Sequence, residues 1–471
     1  MATFQYRPRI LIFGVVFIVL LTFINPSYDL YSSKHAFLIM SFLLVILISI
    51  KSNGYVINAH NLLVLGILWF IWIPLFDILF IHQVIPHVGL YYTRIDDLSM
   101  RDDGVLVDIT LVTSILILSY VTTASLISRF IKRPKFSDQN VSDGIHVNYA
   151  LFQVCLFVLI SLFLILILNN VLTPVEVTHW TEVASHGSGT TGYILSNINF
   201  FLTSVSYFLI IYAYKNPKVS RLVWLLVLCL AAEIIVFYFL ENSRIFLLSF
   251  LVGLAAVFER LGVKINWKML AVFSVFFFGF MVYVSLRRSF MGLDFIQLIS
   301  QVDAFNSMSF VNIARKEFEI YPGIGYWMTL YDLNEFGDID YSRVSYILKT
   351  IFFWLPSGLF DFQQTPPFTA HLGFLITNDP LFSCNITSLG ELVVMYGKPS
   401  ILVLGLTLGI STYLLDIKYL RQFNNFNFMI FAVIILQIMR GPFYYFLSQI
   451  LLLTLAWWLI YKFLIRKERS V

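Results

Sequence analysis

The sequence predicts an all-α, polytopic membrane protein of about twelve transmembrane helices with one large segment outside the membrane. Three observations carry that prediction. Hydrophobic residues make up 59% of the 471 and charged residues only 12%, whereas a soluble domain carries about 25% charged residues. Apolar runs of roughly 20 residues, the length at which a helix crosses a bilayer with its backbone satisfied, recur along the chain. The connections between these runs also alternate between rich and poor in Lys and Arg.

The runs place helices at about 10–24, 36–50, 61–81, 105–128, 149–172, 193–213, 221–240, 244–258, 268–286, 398–415, 427–439 and 442–463. The first, second and eleventh are near the minimum length for a span. The first lacks an A-x-A-like cleavage site and reads as a retained helix, not a removed signal peptide. Of the three cysteines, Cys155 and Cys229 fall in apolar runs and Cys384 outside them, so no disulfide framework is expected.

With the N-terminus inside, the inner connections hold Arg7, Arg9, Lys51, Arg129, Lys132, Arg133, Lys135, Lys215, Lys218, Arg221, Arg260, Lys264, Lys268, Lys418, Arg421, Lys462, Arg466, Lys467 and Arg469. The short outer loops hold only Lys34, Arg94, Arg101, Arg244 and Arg440. This asymmetry predicts that both termini are cytoplasmic. It divides the chain into helices one to nine with short loops (1–286), a long outer segment (287–397) and helices ten to twelve (398–471). The inner linker 129–146 reads as a cytoplasmic loop between two helix groups.

The long outer segment is the one stretch outside the helices large enough to build a site, and function concentrates in such segments. Within it, VSYILKTIFFWLPSGL (344–359) is apolar, but Lys349 at its middle and Pro356 near its end predict an interfacial or re-entrant helix. Arg287 and Arg288 close the ninth helix, Arg244 opens the eighth, and Arg440 sits in the turn MRGPF between the last two. Each can snorkel among lipid headgroups. Together at one level of the outer face they also suit a pyrophosphate, which the rigid guanidinium fork grips with two hydrogen bonds.

Glu391, in SLGELVVMYGKPS, reads either as a first-turn carboxylate favoured by a helix dipole or as a group that accepts a proton from a sugar hydroxyl. His371, in PPFTAHLGF, is the base suggested by residue type. Arg343 and Lys349 add positive charge to the segment, and Trp327 and Tyr326 are candidate platforms for a sugar ring. Asp96, Asp97, Asp102 and Asp103, in RIDDLSMRDDG, pair with Arg94 and Arg101 and read more readily as a solvated helix cap than as a metal site. His179 and His186 share a Gly/Ser/Thr-rich outer loop without a zinc signature. Inside the apolar runs, Glu233 suits a proton relay or a bond within the bundle, and Asp77 falls nearer the outer end of its helix, where a wet interfacial position is expected.

A helix start NSRIFLL (242–248), an Arg-ended next helix, a long outer segment with FFWLPSGLFDFQQTPPF (352–368), then LGELVVMYG (389–397) and closing helices resemble the O-antigen polymerase (Wzy) family over residues 60–460. The resemblance implies a fold like the metal-independent GT-C-type membrane glycosyltransferases, placed in the bacterial inner membrane with its site facing the periplasm. It implies transfer of a growing glycan from undecaprenyl pyrophosphate onto a new lipid-linked repeat unit, with no cofactor, no metal and no nucleic acid. The implied partners are the lipid-linked donor and acceptor, membrane lipids and a chain-length-determining co-polymerase (Wzz). Arg244 and Glu391 match the family pattern best; His371, Arg287 and Arg288 match by their place in the layout. An O-antigen ligase and a flippase of the same lipid-linked oligosaccharide are the alternatives. The flippase reading draws on Glu233 and Asp77, whereas the single large outer segment and the lack of internal repeats favour an enzyme.

Overall fold

A chain with this little polar surface has to satisfy its backbone internally, and helices do so residue by residue. The computed structural model describes residues 7–26, 30–50, 57–81, 103–130, 146–147, 149–172, 220–240, 244–260, 343–352 and 387–421, with isolated positions between 205 and 213, at 275, 360, 368, 371 and 372, and between 435 and 466. These residues are helical nearly throughout. Three helices are long and apolar enough to cross a membrane among the described residues: Tyr31–Ser49, Ala59–Phe80 and Asp103–Ser128. Shorter apolar helices start at Pro8, Tyr149 and Pro399. The helices expected at 193–213, 268–286, 427–439 and 442–463 are described only at isolated positions, almost all of them helical.

Contacts divide the chain into two compact units. The first comprises Met1–Lys135, Ser307–Leu420 and Ile435–Phe446; the second comprises Phe136–Asn306, Arg421–Ile434 and Leu447–Val471. In the first unit, α1 (Pro8–Thr22) and α2 (Tyr31–Ser49) form an antiparallel hairpin. The Arg7 amide donates to the Ser49 carbonyl at 2.8 Å. At the other end Lys34, 8% exposed, donates through Nζ to the carbonyls of Thr22 at 2.8 Å and Ile24 at 2.6 Å. Those carbonyls lie at and beyond the C-terminus of α1, where helix oxygens lack partners and a cation is favoured. Lys34 is therefore a cap, and the helix absorbs the polar YSSKH stretch that hydropathy alone leaves outside it.

The helix that follows starts behind an Asn58 cap, whose side chain accepts from the Asn61 amide at 2.8 Å. It runs as α3 (Ala59–Ile67), a π-turn (Leu68–Trp72), α4 (Ile73–Phe76) and a second π-turn (Asp77–Ile81). Pro74 supplies the cause: it has no N–H to give, its ring collides with the carbonyl four residues back, and a widened turn relieves both. The widening aims Trp72 at α2, where its indole N–H donates to the Ser41 hydroxyl at 2.9 Å. Trp72 also stacks on Phe76 at 5.1 Å and meets Phe37 at 5.5 Å. Asp77 is buried, not in the wet interfacial position expected for it, since the π-turn belongs to a helix packed on its neighbours.

α5 (Asp103–Phe130) packs along α2. Asp103 joins their starts: its carboxylate accepts from the Ser33 amide at 2.8 Å and its carbonyl accepts from the Ser33 hydroxyl at 2.9 Å. α2 and α5 thus begin at the same level and run parallel. In the second unit, α6 (Tyr149–Leu172) packs on α7 (Arg221–Leu240), which is followed by α8 (Arg244–Arg260). A two-residue antiparallel pairing, β1 (His146–Val147) with β2 (Ile465–Arg466), is the sole sheet among the described residues.

Three more helices complete the described part of the first unit: α9 (Arg343–Ile351), α10 (Thr387–Tyr396) and α11 (Pro399–Arg421). At nine residues α9 is about 14 Å long, less than half the hydrocarbon thickness of about 30 Å. α11 lies directly on α5 through Gly405 and Gly409. A Cβ on Gly405 would collide with the Ser119 hydroxyl, and one on Gly409 would stand 2.8 Å from Thr123 Cβ. This G-x3-G spacing brings two backbones together where lipid offers no hydrophobic driving force for association. Beside the seam, the Thr412 hydroxyl reaches the Tyr120 hydroxyl at 2.9 Å, and Tyr120 meets His60 Nδ1 at 2.9 Å.

Replacing Gly409 by Leu should push α11 off α5 at a cost of about 1–3 kcal/mol. The thermal midpoint of the purified protein in detergent should fall, while Leu406→Val, on an exposed part of the same helix, leaves it unchanged. Equal midpoints for both variants would show that the seam carries no stability.

Candidate functional site

α10 is a short helix with nine consecutive buried residues, Thr387 through Met395. It starts under strain: Thr387 is β-branched yet sits at φ 66°, a left-handed conformation that such residues avoid and that clusters near functional sites. Its hydroxyl accepts from the Gly390 amide at 3.2 Å, capping the first turn. The helix stops at Gly397, whose φ of 77° suits a residue without Cβ. There the Gly397 amide donates back to the Val393 carbonyl at 2.8 Å. Pro399 then opens α11 at the position proline favours.

Glu391 lies in the second turn of α10, not the first as the dipole reading would have it, and is 1% exposed. A buried carboxylate is costly unless it is hydrogen-bonded. Tyr346 of α9, 4% exposed, donates its hydroxyl proton to Glu391 Oε1. The tyrosine ring is held edge-on to Phe368 at 6.2 Å. Tyr396, at the end of α10, is held in its neutral form: burial pushes its hydroxyl pKa up, the Glu391 charge pushes it further, and Arg343 opposes both. Arg343, exposed on the first turn of α9, is thus within electrostatic reach of the same cluster.

A second contact ties this region to the helical bundle. Lys398, about half exposed, donates to the carboxylate of Asp108, a buried residue in the second turn of α5. The Ser400 hydroxyl adds a bond to the Leu392 carbonyl at 3.0 Å, fixing the corner between α10 and α11. Arg343, Tyr346, Glu391, Tyr396, Lys398 and Asp108 therefore gather where α9, α10 and the starts of α5 and α11 meet.

Of the residues singled out in the sequence, the structure places Glu391 and Arg343 here. His371 is a partly buried helical residue whose Nε2 is shielded from solvent. Lys349 belongs to α9, and Arg244 is the first residue of α8. Arg287, Arg288, Arg440, Trp327 and Tyr326 lie outside the described residues, as do Asp96, Asp97, Asp102, His179 and His186. Asp103 is an interhelix fastener. Among the described residues, no group of three His, Cys, Asp or Glu is placed to hold a metal. Tyr346, Tyr396, Lys398 and Asp108 were not legible as site residues. Asp108 carried one signal, a carboxylate inside an apolar run, the same signal that marked Asp77 and Glu233.

Comparisons with protein-family models, with curated proteins and with solved structures find no match to the chain.

Removing Lys398 takes a counter-charge from the buried Asp108. Lys398→Met should destabilise the protein by about 1–3 kcal/mol, less than a fully buried pair because the lysine is half in water. Asp108→Asn in the same chain should recover most of that loss. Thermal melts of the single and double variants decide it, and additive losses would mean that the two groups do not act as a pair.

Proposed function

We propose that the protein is a membrane glycosyltransferase that polymerises undecaprenyl-pyrophosphate-linked oligosaccharide repeat units at the periplasmic face of the bacterial inner membrane. The reading takes twelve spans with both termini inside and a GT-C-like arrangement. Contacts within each unit agree with that orientation. Ser33 and Asp103 bond to each other and both belong to outer segments; His146 and Arg466 pair and both belong to inner ones. The observation that carries the function is Glu391: a carboxylate buried where α9 and α10 meet and oriented by a tyrosine, with Arg343 on the tyrosine's helix and Lys398 at the corner that follows α10.

In this reaction the bond between the anomeric carbon of the growing glycan and a pyrophosphate oxygen breaks, and the electron pair leaves on the pyrophosphate. A hydroxyl of the incoming repeat unit forms the new bond. Its proton passes to Glu391, a role for which a positioned carboxylate is suited. Negative charge builds on the departing pyrophosphate, so guanidinium groups aimed there stabilise the transition state more than the ground state. Arg287, Arg288, Arg244 and Arg440 are the arginines proposed for that task, with Arg343 and Lys349 as further cations and Trp327 and Tyr326 as sugar platforms. A chain-length-determining co-polymerase (Wzz) is the proposed protein partner.

One observation favours a second reading. In α7, Glu233 has a carboxylate oxygen, Oε2, that is buried without a hydrogen-bond partner among the described residues. A carboxylate so placed suits a proton-coupled transporter of the same lipid-linked oligosaccharide.

Purified protein reconstituted with undecaprenyl-pyrophosphate-linked repeat units should produce a ladder of longer glycans. Glu391→Gln should slow chain growth by about 100-fold, and Arg288→Lys should slow it sharply by losing the bidentate grip. Lipid movement across the bilayer with no ladder would replace the polymerase by the transporter.

A further inference from the structure

We propose that Tyr346 is a positioning residue for Glu391: its hydroxyl fixes the plane of the carboxylate that takes the acceptor proton. This rests on the polymerase reading and adds to it a residue that does not touch the reacting atoms. The terminal torsion of a glutamate is broad and roughly two-fold, so a carboxylate held only by its chain turns easily. Tyr346 removes that freedom. It carries one proton, and the structure directs that proton at Glu391 Oε1.

The tyrosine can fix Glu391 only if it is itself fixed, and two features do so. Its ring is buried and meets Phe368 edge-on, with ring centres 6.2 Å apart and planes at 70°, a geometry that aromatic pairs favour. Its helix presents Val344, Ile347 and Ile351 outward as exposed apolar side chains, so α9 has a polar contact on one side and an apolar surface on the other. The helix also brings Arg343, three residues before Tyr346 and so on the same side of α9.

The proton moves as follows. The acceptor O–H bond breaks as its oxygen bonds to the anomeric carbon, and the proton is taken by the Glu391 carboxylate. Tyr346 keeps its own proton throughout. Misalignment of a reacting group by even 1 Å costs about 100-fold in rate, so losing the tyrosine hydroxyl should act on turnover and not on substrate binding.

The test is a double-mutant cycle on chain growth by the reconstituted full-length protein, with Tyr346→Phe, Glu391→Gln and the two combined. Residues that act as one unit are non-additive. Tyr346→Phe should lower kcat about tenfold with KM for the acceptor unchanged, and the double variant should be no slower than Glu391→Gln alone. Losses that multiply, a change confined to KM, or full activity in Tyr346→Phe would overturn the proposal. Thermal melting checks the fold of each variant. If Tyr346→Phe melts early, Tyr346→His, which keeps a ring and a donor, is compared with it in the wild-type and Glu391→Gln backgrounds. A benefit of the donor in the first background alone supports positioning, and a benefit in both overturns it. A wild-type protein that makes no ladder sinks the polymerase reading, whereas a ladder with multiplying losses sinks only the role of Tyr346.

Discussion

The close approach of α11 to α5 is the constraint on which the placement of the Glu391 helix depends. Gly405 and Gly409 sit against the Ser119 hydroxyl, Thr123 and the backbone carbonyls of Leu116 and Tyr120. Apolar side chains gain little by leaving lipid for protein, so surface burial cannot hold these helices together as it would in water. Backbone proximity and interhelical hydrogen bonds do so instead. Once α11 lies on α5, Lys398 at its start falls beside Asp108, and Thr412 further along falls beside Tyr120. The Glu391 helix precedes α11 by two residues and is fixed to it by the Ser400 bond to Leu392. The site is positioned from the seam outward.

The helical, membrane-spanning class was legible because it depends on composition and run length, which are properties of the chain alone. Helix ends were less so. Hydropathy ends α2 at the polar residues Ser33 and Lys34, yet Asp103, seventy positions on, and the carbonyl ends of α1 extend the helix through them. Glu391 stood out in sequence as a carboxylate beside an apolar run, and it is a member of the cluster. Its tyrosine partner lies forty-five positions away among the 25 tyrosines of the chain, and no local pattern distinguishes it. The G-x3-G spacing is present in the sequence and carries a known mechanism, but the spacing alone does not name the helix it packs against.

Among the described residues, three polar pairs join helices that must hold register. Ser33 with Asp103, Asp108 with Lys398, and Tyr346 with Glu391 each join segments far apart in the chain. Such groups are costly when unmet, so they penalise a helix that slides or rotates by a residue. Apolar contacts would tolerate the same slip with little loss. The polar pairs thus act less as a source of stability than as a specification of one arrangement.

The His60 chain illustrates the point through hydrogen counting. The Leu47 carbonyl can only accept, so the His60 Nε2 facing it at 3.2 Å must carry the hydrogen. In the neutral ring Nδ1 is then an acceptor, and Tyr120 must donate to it. The Tyr120 oxygen is left to accept from the Thr412 hydroxyl at 2.9 Å, whose single proton is shared with the Leu408 carbonyl of its own helix at 2.8 Å. One carbonyl at the end of α2 therefore sets the direction of the bonds through α3 to Tyr120 of α5, where Thr412 of α11 meets them. A helix turned out of place would reverse or break the chain at a buried position, which makes the relation among these four helices collective and not a sum of independent contacts.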